Sequence, residues 1–529
     1  MERQREFVRR ERPVMKRDGG VDYGAFAVAA ALALSIVTVP HAQQQQAQPD
    51  AAPMTEVQTA GVKRVKEMIA ALNSGDYATI RAYFDAQSDP NGVENALARY
   101  HLSRGYDLIR VELVPNRGDL VAGIVRNRIT GDEEYLAARI EPQAPHRITL
   151  FQARAPDEVA ASWKLKLVTS TAVTEKERLQ EISSYLKRMG DADIFSGAIV
   201  IARDGKPVFA QAYGYADRAK KIPNTVDTPF LLGSMNKLFT GLAIGQLVEQ
   251  GKLSYEDPLA KFVPDFPDRE SARKIRIKHL LSHTSGLGDY LGSGVYRDSL
   301  DRMVTAKALI EIFARTPPAF EPGTKWAYSN IGYELLGRVI EIVTGQDYFD
   351  YMQKHVFAPA GATSASFPLL PRNGVAVVPM AYPYQFTSSK GSLKDFDNQL
   401  GVMFRRGSAA GNSIASALDL IKLSNAARNG RIVKPETFRL HSSPKPELGS
   451  TMYGYGFIAG PYLGRPFVGH NGRAPGQCTE FGELRDTPYT LAVLSNVDFV
   501  CRSVTQRILR VLSPSGAPAA PSEPHTGKR

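Results

Sequence analysis

Cysteine is nearly absent from this chain, with two residues in 529, Cys478 and Cys501. A fold scaffolded by many disulfides is thereby excluded, and no Cys-x-x-Cys spacing offers a metal or redox site. In an oxidising compartment the two can still close one bridge. Cys478 opens a strand-like segment and Cys501 lies early in the last helix-like one, so a disulfide is one expectation and a pair of buried thiols the other. Histidine is sparse and scattered, nine in all. His279 and His283 stand at i, i+4, but no glutamate follows His279, so the zinc-protease pattern fails and structural roles are expected for both. The net charge is +11, yet no stripe of lysine and arginine interleaved with aromatics accompanies it. The densest internal run (Arg273, Lys274, Arg276, Lys278) is short, which gives no footprint for a nucleic-acid partner. Long apolar runs are missing too. Ala25 to Val39 falls short of the ~20 residues that cross a bilayer.

What is present begins at the amino terminus. Arg9, Arg10, Arg12, Lys16 and Arg17 precede that apolar run, and Pro40-His41-Ala42 follows it. This is the layout of a signal peptide over 1–42, cleaved after Ala42, with Met1 or Met15 as the start. Export to the periplasm or medium is expected, and an uncleaved anchor is the one membrane attachment it leaves open. A Gln/Ala/Pro-rich leader covers 43–54, and a Pro/Ala/Ser-rich tail expected to be disordered covers 513–529. An apolar fraction of 43% and a charged fraction of 22% are those of a globular protein long enough for several domains. Within 55–155 helical periodicity gives way to four alternating segments bounded by turn signals, a small α+β unit. Its element order resembles the nuclear transport factor 2-like superfamily. A polar linker over 156–172 leads to a larger unit at 173–512. There Asp204-Gly205 between alternating runs marks a hairpin, the middle is helix-rich, and strand-like segments return near 453–495. One sheet built from both ends of the chain is expected.

Serine followed by lysine three residues on occurs at Ser184–Lys187, Ser234–Lys237, Ser271–Lys274 and Ser442–Lys445. Context separates them. Ser184 lies in an amphipathic helix, Ser271 in a charged stretch, and Pro444 disfavours helix at Ser443. Ser234 instead heads MNKLFTGLAIGQLVEQ, a helix apolar around most of its surface and hence buried. Unpaired N–H groups at such a helix head face an anion, and the macrodipole favours negative charge there. A lysine one turn on shares the face, and burial lowers its pKa until it can accept a serine proton. The competing reading is an N-cap serine with a solvated lysine.

Two further motifs follow. Tyr328-Ser329-Asn330, read as extended, turns a phenol and an amide to one side; a tyrosine at a helix start capped by Asn330 is the alternative. His470-Asn471-Gly472 follows a strand-like segment and reads by itself as a turn. Ser-x-x-Lys, Tyr-x-Asn and Lys/His-x-Gly, in that order, resemble the serine β-lactamase and penicillin-binding-protein superfamily. The class C-related branch of family VIII esterases, D,D-carboxypeptidases and D-aminopeptidases is most similar. HLLSHTSGLGDY at 279–290, SYEDPLAKFVPDFP at 254–267 and GHNGRAPG at 469–476 support it, and the similarity covers roughly 175–510.

That resemblance implies an α/β (α+β) fold, a sandwich of an antiparallel sheet flanked by helices with a helical subdomain, placed after the small NTF2-like unit. It implies Ser234 as nucleophile, Lys237 as its activating partner and Tyr328 as proton shuttle to the leaving group and the deacylating water. Asn330 would orient a substrate amide or ester, and the N–H groups of Ser234 and Arg473 would hold the oxyanion. His470, Gly472 and Arg473 would complete the substrate-binding edge, with neither metal nor organic cofactor. β-Lactamases carry Lys-Thr-Gly where this chain has His470. A mostly neutral histidine gives a weaker carboxylate handle and less help to Tyr328, although the Arg473 guanidinium could restore the handle. The expected activity is an exported serine hydrolase forming an acyl-enzyme on small esters, amides or peptides. A class C-like β-lactamase or D,D-carboxypeptidase is the alternative, and a non-catalytic ligand-binding module the alternative of another class.

Overall fold

Thr55 opens the first helix with a capping box, its hydroxyl accepting the Gln58 N–H (3.2 Å) while the Gln58 side chain accepts the Thr55 N–H (2.9 Å). This computed structural model describes residues 53–512 apart from 89, 155–162, 265, 291–298, 300, 301, 303, 314–316, 371–373, 377, 388–391, 404 and 463–464. The proposed signal peptide, the leader up to residue 52 and the tail from Ser513 lie outside the described residues. No helix among the described residues is long and apolar enough to cross a membrane.

Helices α1 (Glu56–Asn73), α2 (Tyr77–Gln87) and α3 (Pro90–Ser103) precede an antiparallel meander of β1 (Tyr106–Leu113), β2 (Leu120–Asn127), β3 (Glu133–Ile140) and β4 (Ile148–Arg154). The apolar stripe of α1 (Val65, Met68, Ile69, Leu72) packs on one face of that sheet with Val121, Val125 and Leu136. The chain beyond is bound rather than loose. Lys166 and Val168 donate N–H groups to the Glu133 and Asp132 carboxylates (2.9 and 2.7 Å), so this part of the expected linker lies along β3.

A second capping box, Thr174 with Glu177, starts α4 (Glu175–Asp191). Next comes the hairpin of β5 (Gly197–Arg203) and β6 (Lys206–Tyr213). Asp204 and Gly205 at its tip both have positive φ (50° and 75°), as a tight hairpin of this hand needs. Helices α5 (Asn236–Glu249) and α6 (Asn330–Thr344) belong to the helical middle. Strands β7 (Ile458–Tyr462), β8 (Arg465–Ala474), β9 (Gln477–Leu484) and β10 (Tyr489–Ser495) and helix α7 (Cys501–Leu512) close the chain. The sheet order is β7-β8-β9-β10-β5-β6, antiparallel throughout. Both ends of the chain therefore meet where β10 pairs β5.

Alternation along the strands divides two cores. Ile199, Ile201, Leu491 and Val493 face α4 and α7, meeting Ile182, Leu186, Val504 and Ile508. Ala198, Val200, Ala492 and Leu494 face the helical middle, where α5 is buried on nearly all sides. Each large aliphatic side chain so buried contributes roughly 1.5–3 kcal/mol. Cys478 and Cys501 are joined by a disulfide that ties β9 to the head of α7.

Tyr328-Ser329-Asn330 is extended at Ser329 (φ −141°, ψ 115°), as the sequence reading expects, and turns helical only after it. Ser329 is the N-cap of α6, accepting the Gly332 N–H (3.1 Å), and Asn330 is its first helical residue. His470-Asn471-Gly472 is not a turn but part of β8, in register with Phe481, Glu480 and Thr479 of β9.

Candidate active site

Ser234 sits in a single 3-10 turn, Gly233–Met235, whose last residue leads into α5. It is half-buried, whereas Lys237, one turn on, has no exposed surface. The turn is held by a distant segment, residues 408–413. Leu232 N–H donates to Ser413 O (2.8 Å), and Asn412 N–H to Gly233 O (3.0 Å). Asn236 Nδ2 donates to Ser408 O (2.8 Å), and Thr240 Oγ1 to Ala409 O (2.7 Å).

Lys237 Nζ has two acceptors, Asn330 Oδ1 at 2.7 Å and the Ala410 carbonyl. Burial drives its pKa down to about 7, against the pull of the Asp289 and Glu334 carboxylates. A neutral amine has two hydrogens, which these acceptors occupy, and one lone pair left over. Asn330 Nδ2 is also engaged, donating to both Asp289 oxygens (3.0 and 2.9 Å). The amide expected to orient substrate thus links Asp289 to Lys237 in this structure.

Tyr328 lies with its ring centroid 4.9 Å from Lys237 Nζ. Its buried hydroxyl makes no hydrogen bond of good geometry. Burial pushes the phenol's pKa well up, and Ser234 stands near enough to be the group that opposes the rise. Tyr328 therefore stays protonated at neutral pH. His283, read from sequence as structural, is a wall of the site. Its Nδ1 accepts the Ser329 N–H (3.1 Å), and its ring packs 4.3 Å from Tyr328 and 4.6 Å from Tyr453.

His470 is buried and meets the Tyr453 hydroxyl through Nε2 (2.8 Å). Burial, then Lys237, lower its pKa to about 3, so the imidazole is neutral. Gly472 shares its face of β8, and a Cβ there would lie 1.8 Å from Leu232 O. Gly233, at φ +55°, is equally constrained, since a Cβ on it would stand 2.6 Å from the Arg473 nitrogen. Two glycines in contact thus bring the head of α5 against β8, with the Arg473 nitrogen close to Gly233. The pairing of β7 with β8 stops at Gly469, so this stretch of β8 has no strand on that edge. The Arg473 side chain takes the other face, with its guanidinium 4.3 Å from the Phe499 ring and near Asp498 and Glu480. It is not turned toward Lys237.

The other serine-lysine pairs are placed elsewhere. Ser184 and Lys187 are exposed, with Lys187 bonded to Asp191 (2.6 Å), and Ser271 donates its N–H to Asp268, the N-cap of its own short helix (3.0 Å). Ser442 and Lys445 are buried, but Lys445 Nζ is bound by the carbonyls of Leu440 (2.7 Å), Ser443 (2.8 Å) and Pro444 (3.4 Å). Those three acceptors suit an ammonium. Sequence reasoning missed Asp289, Glu334, Tyr453 and the turn at 408–411. Asp289 is the last residue but one of the quoted phrase HLLSHTSGLGDY, and GSAAGNS at 407–413 is a run of small residues that could have been noticed.

An antiparallel sheet between helical layers, with a serine and a buried lysine at a helix head facing its edge, defines a serine hydrolase. The family model described as beta-lactamase matches residues 182–512, and the chain belongs to that family. It is 32% identical over 289 residues to the Bacillus subtilis penicillin-binding protein PbpX, covering 54% of this chain and 66%, just under two thirds, of that one. It is 30% identical to the teichoic acid D-alanine hydrolase of Staphylococcus aureus, over 59% of this chain and 72% of that protein. The solved D-amino acid amidase of Ochrobactrum anthropi superposes with a TM-score of 0.51 at 25% identity, covering 64% of this chain and 97% of that one.

Proposed function

We propose that this protein is an exported hydrolase that opens small esters and D-aminoacyl amides through an acyl-enzyme on Ser234. The observation that carries the reading is Lys237, fully buried, one turn from a half-open serine and bound by two acceptors. Its lone pair takes the Ser234 proton, and Oγ forms a bond to the substrate carbonyl carbon. The N–H groups of Ser234 and Arg473 hold the resulting oxyanion, each worth about 3 kcal/mol of transition-state stabilisation. Collapse breaks the bond to the leaving group, which receives a proton from Tyr328, reprotonated in turn from Lys237. Water then repeats the sequence on the acyl-enzyme, with Lys237 as base, and releases the acid.

The D-aminoacyl preference rests on two of the proteins it resembles, a teichoic acid D-alanine hydrolase and a D-amino acid amidase. The β-lactamase or D,D-carboxypeptidase reading has less support, because His470 is neutral and spent on Tyr453. A non-catalytic module gives no reason to bury a lysine with its lone pair uncommitted. A fluorophosphonate should label Ser234 in the wild type and leave Ser234→Ala unmodified, with a rate that rises with pH about a midpoint near 7. Short acyl esters should be cleaved fastest, D-amino-acid amides next and a chromogenic cephalosporin slowest. An unreactive Ser234, or a cephalosporin hydrolysed faster than any ester, would overturn the proposal.

A further inference from the structure

Glu334 is a buried carboxyl that the steps above leave unused. It stands four residues after Asn330 on α6, hence on the same face, directed at the surroundings of Lys237. Its exposure is 1%, and its Oε1 accepts the Tyr290 hydroxyl (3.1 Å) and Ser408 Oγ (2.6 Å). Ser408 Oγ in turn accepts the Ala410 N–H (3.3 Å), and the turn is closed by Ser408 N–H to Gly411 O (2.7 Å). Ala410 is the residue whose carbonyl holds Lys237. A chain of hydrogen bonds therefore runs from Glu334 through Ser408 and Ala410 to the amine. Glu334 Oε2 has no hydrogen-bond partner among the described residues.

We propose that Glu334 is a positioning residue for acylation: it fixes the 408–411 turn on which Lys237 rests, and it serves as the proton partner of that lysine. The inference rests on the reading of Lys237 as the base for Ser234. One proton shared by the two groups can make an ammonium facing a carboxylate, or an amine facing a carboxylic acid. Near neutral pH both arrangements are within reach, and the two groups titrate as a pair. Burial raises the Glu334 pKa to about 7, against Ser408, Tyr290 and Lys237, close to where Lys237 is brought from the opposite side. While Glu334 is ionised it therefore keeps the proton on Lys237 to higher pH. The other groups facing Lys237 are Asp289 through Asn330, the phenols of Tyr328 and Tyr333, and the imidazoles of His283 and His470. All of them remain when Glu334 is changed.

The sign follows. Ionised Glu334 favours the ammonium, so removing its charge lets the amine persist to lower pH. In Glu334→Gln the midpoint of the pH profile for fluorophosphonate labelling should fall by about one unit. Ser408→Ala keeps the charge but cuts the link to the turn. It should lower the plateau rate by roughly tenfold and, because it also removes a bond that favours the carboxylate, move the midpoint in the same direction by less than Glu334→Gln does. Should Glu334→Gln not fold, Tyr290→Phe removes one bond that favours the carboxylate and should move the midpoint the same way by less. A labelled wild type with a midpoint that coincides with those of folded Glu334→Gln and of Tyr290→Phe overturns this inference alone. A wild type that is never labelled overturns the assignment of Ser234 instead.

Discussion

Ser234 and Ser442 share the same spacing to a lysine, and both lysines are buried, so burial alone does not make a base. The acceptors decide. Three carbonyls around Lys445 use all the hydrogens of an ammonium, while two acceptors on Lys237 match an amine. Ser234→Ala should cut ester hydrolysis by at least about 10³-fold, whereas alanine at Ser184, Ser271 or Ser442 should leave kcat/KM within a few fold. Purified Ser234→Ala with substantial turnover would refute the assignment. The choice between His470 and Arg473 is also a matter of single residues. His470 supplies no charge, and the Arg473 guanidinium is drawn to Phe499, Asp498 and Glu480. His470→Lys should therefore raise the ratio of cephalosporin to ester hydrolysis, and Arg473→Ala should change it little. The reverse result would return the carboxylate handle to Arg473.

At the scale of elements, signals between neighbours in sequence were readable and those between distant segments were not. The hairpin at Asp204-Gly205 and the buried helix after Ser234 follow from local chemistry. Tyr328-Ser329-Asn330 was read correctly as extended at Ser329, with phenol and amide both at Lys237, but period-2 spacing says nothing about a serine that can cap, and Ser329 does. His470-Asn471-Gly472 was misread because Asn-Gly favours a turn, and pairing with β9 prevails over that preference. The small-residue run at 407–413 was visible, but its place against Lys237 and Glu334 could not be inferred, since those bonds cross 173 and 74 residues of chain. The contact between the head of α5 and β8 makes a test of its own. A methyl on Gly472 would meet Leu232 O, a backbone atom that cannot rotate away. Gly472→Ala should keep its far-UV circular dichroism but lose at least tenfold in labelling rate, because the oxyanion donors are pushed apart. Normal labelling in that variant would mean the two N–H groups do not act together.

The whole molecule adds a question that no catalytic residue answers, namely what the α1–α3 and β1–β4 layer does for a site that lies beyond it. Every residue assigned here is at Ser234 or later, which argues that a chain starting near Ala172 keeps its chemistry. Two contacts bear on its stability. Arg507 of α7 is 4% exposed and pairs with Asp132 of the layer (3.6 Å) and with Glu181 of α4 (3.2 Å); Asp132 also pairs with Arg510. His101 of α3 stacks on Phe386 (centroids 5.1 Å apart), in a short hairpin that includes Tyr384. The Tyr384 N–H donates to Gly476 O (2.9 Å), just past the end of β8. Asp132→Ala in the full chain seals a guanidinium with one partner fewer, at a cost on the order of 3–5 kcal/mol. Truncation instead opens Arg507 to water, which rehydrates it and lessens that cost. The full-length Asp132→Ala protein should therefore melt well below the wild type while labelling normally at 20 °C or so, far from its transition. The truncated protein should also be labelled, with kcat for esters within a few fold and any deficit in KM, since the hairpin braces β8 without touching Ser234. A truncated protein that is soluble and folded by circular dichroism yet unreactive toward the fluorophosphonate would show that the layer, acting through His101 and the Tyr384 hairpin, helps to form the oxyanion edge.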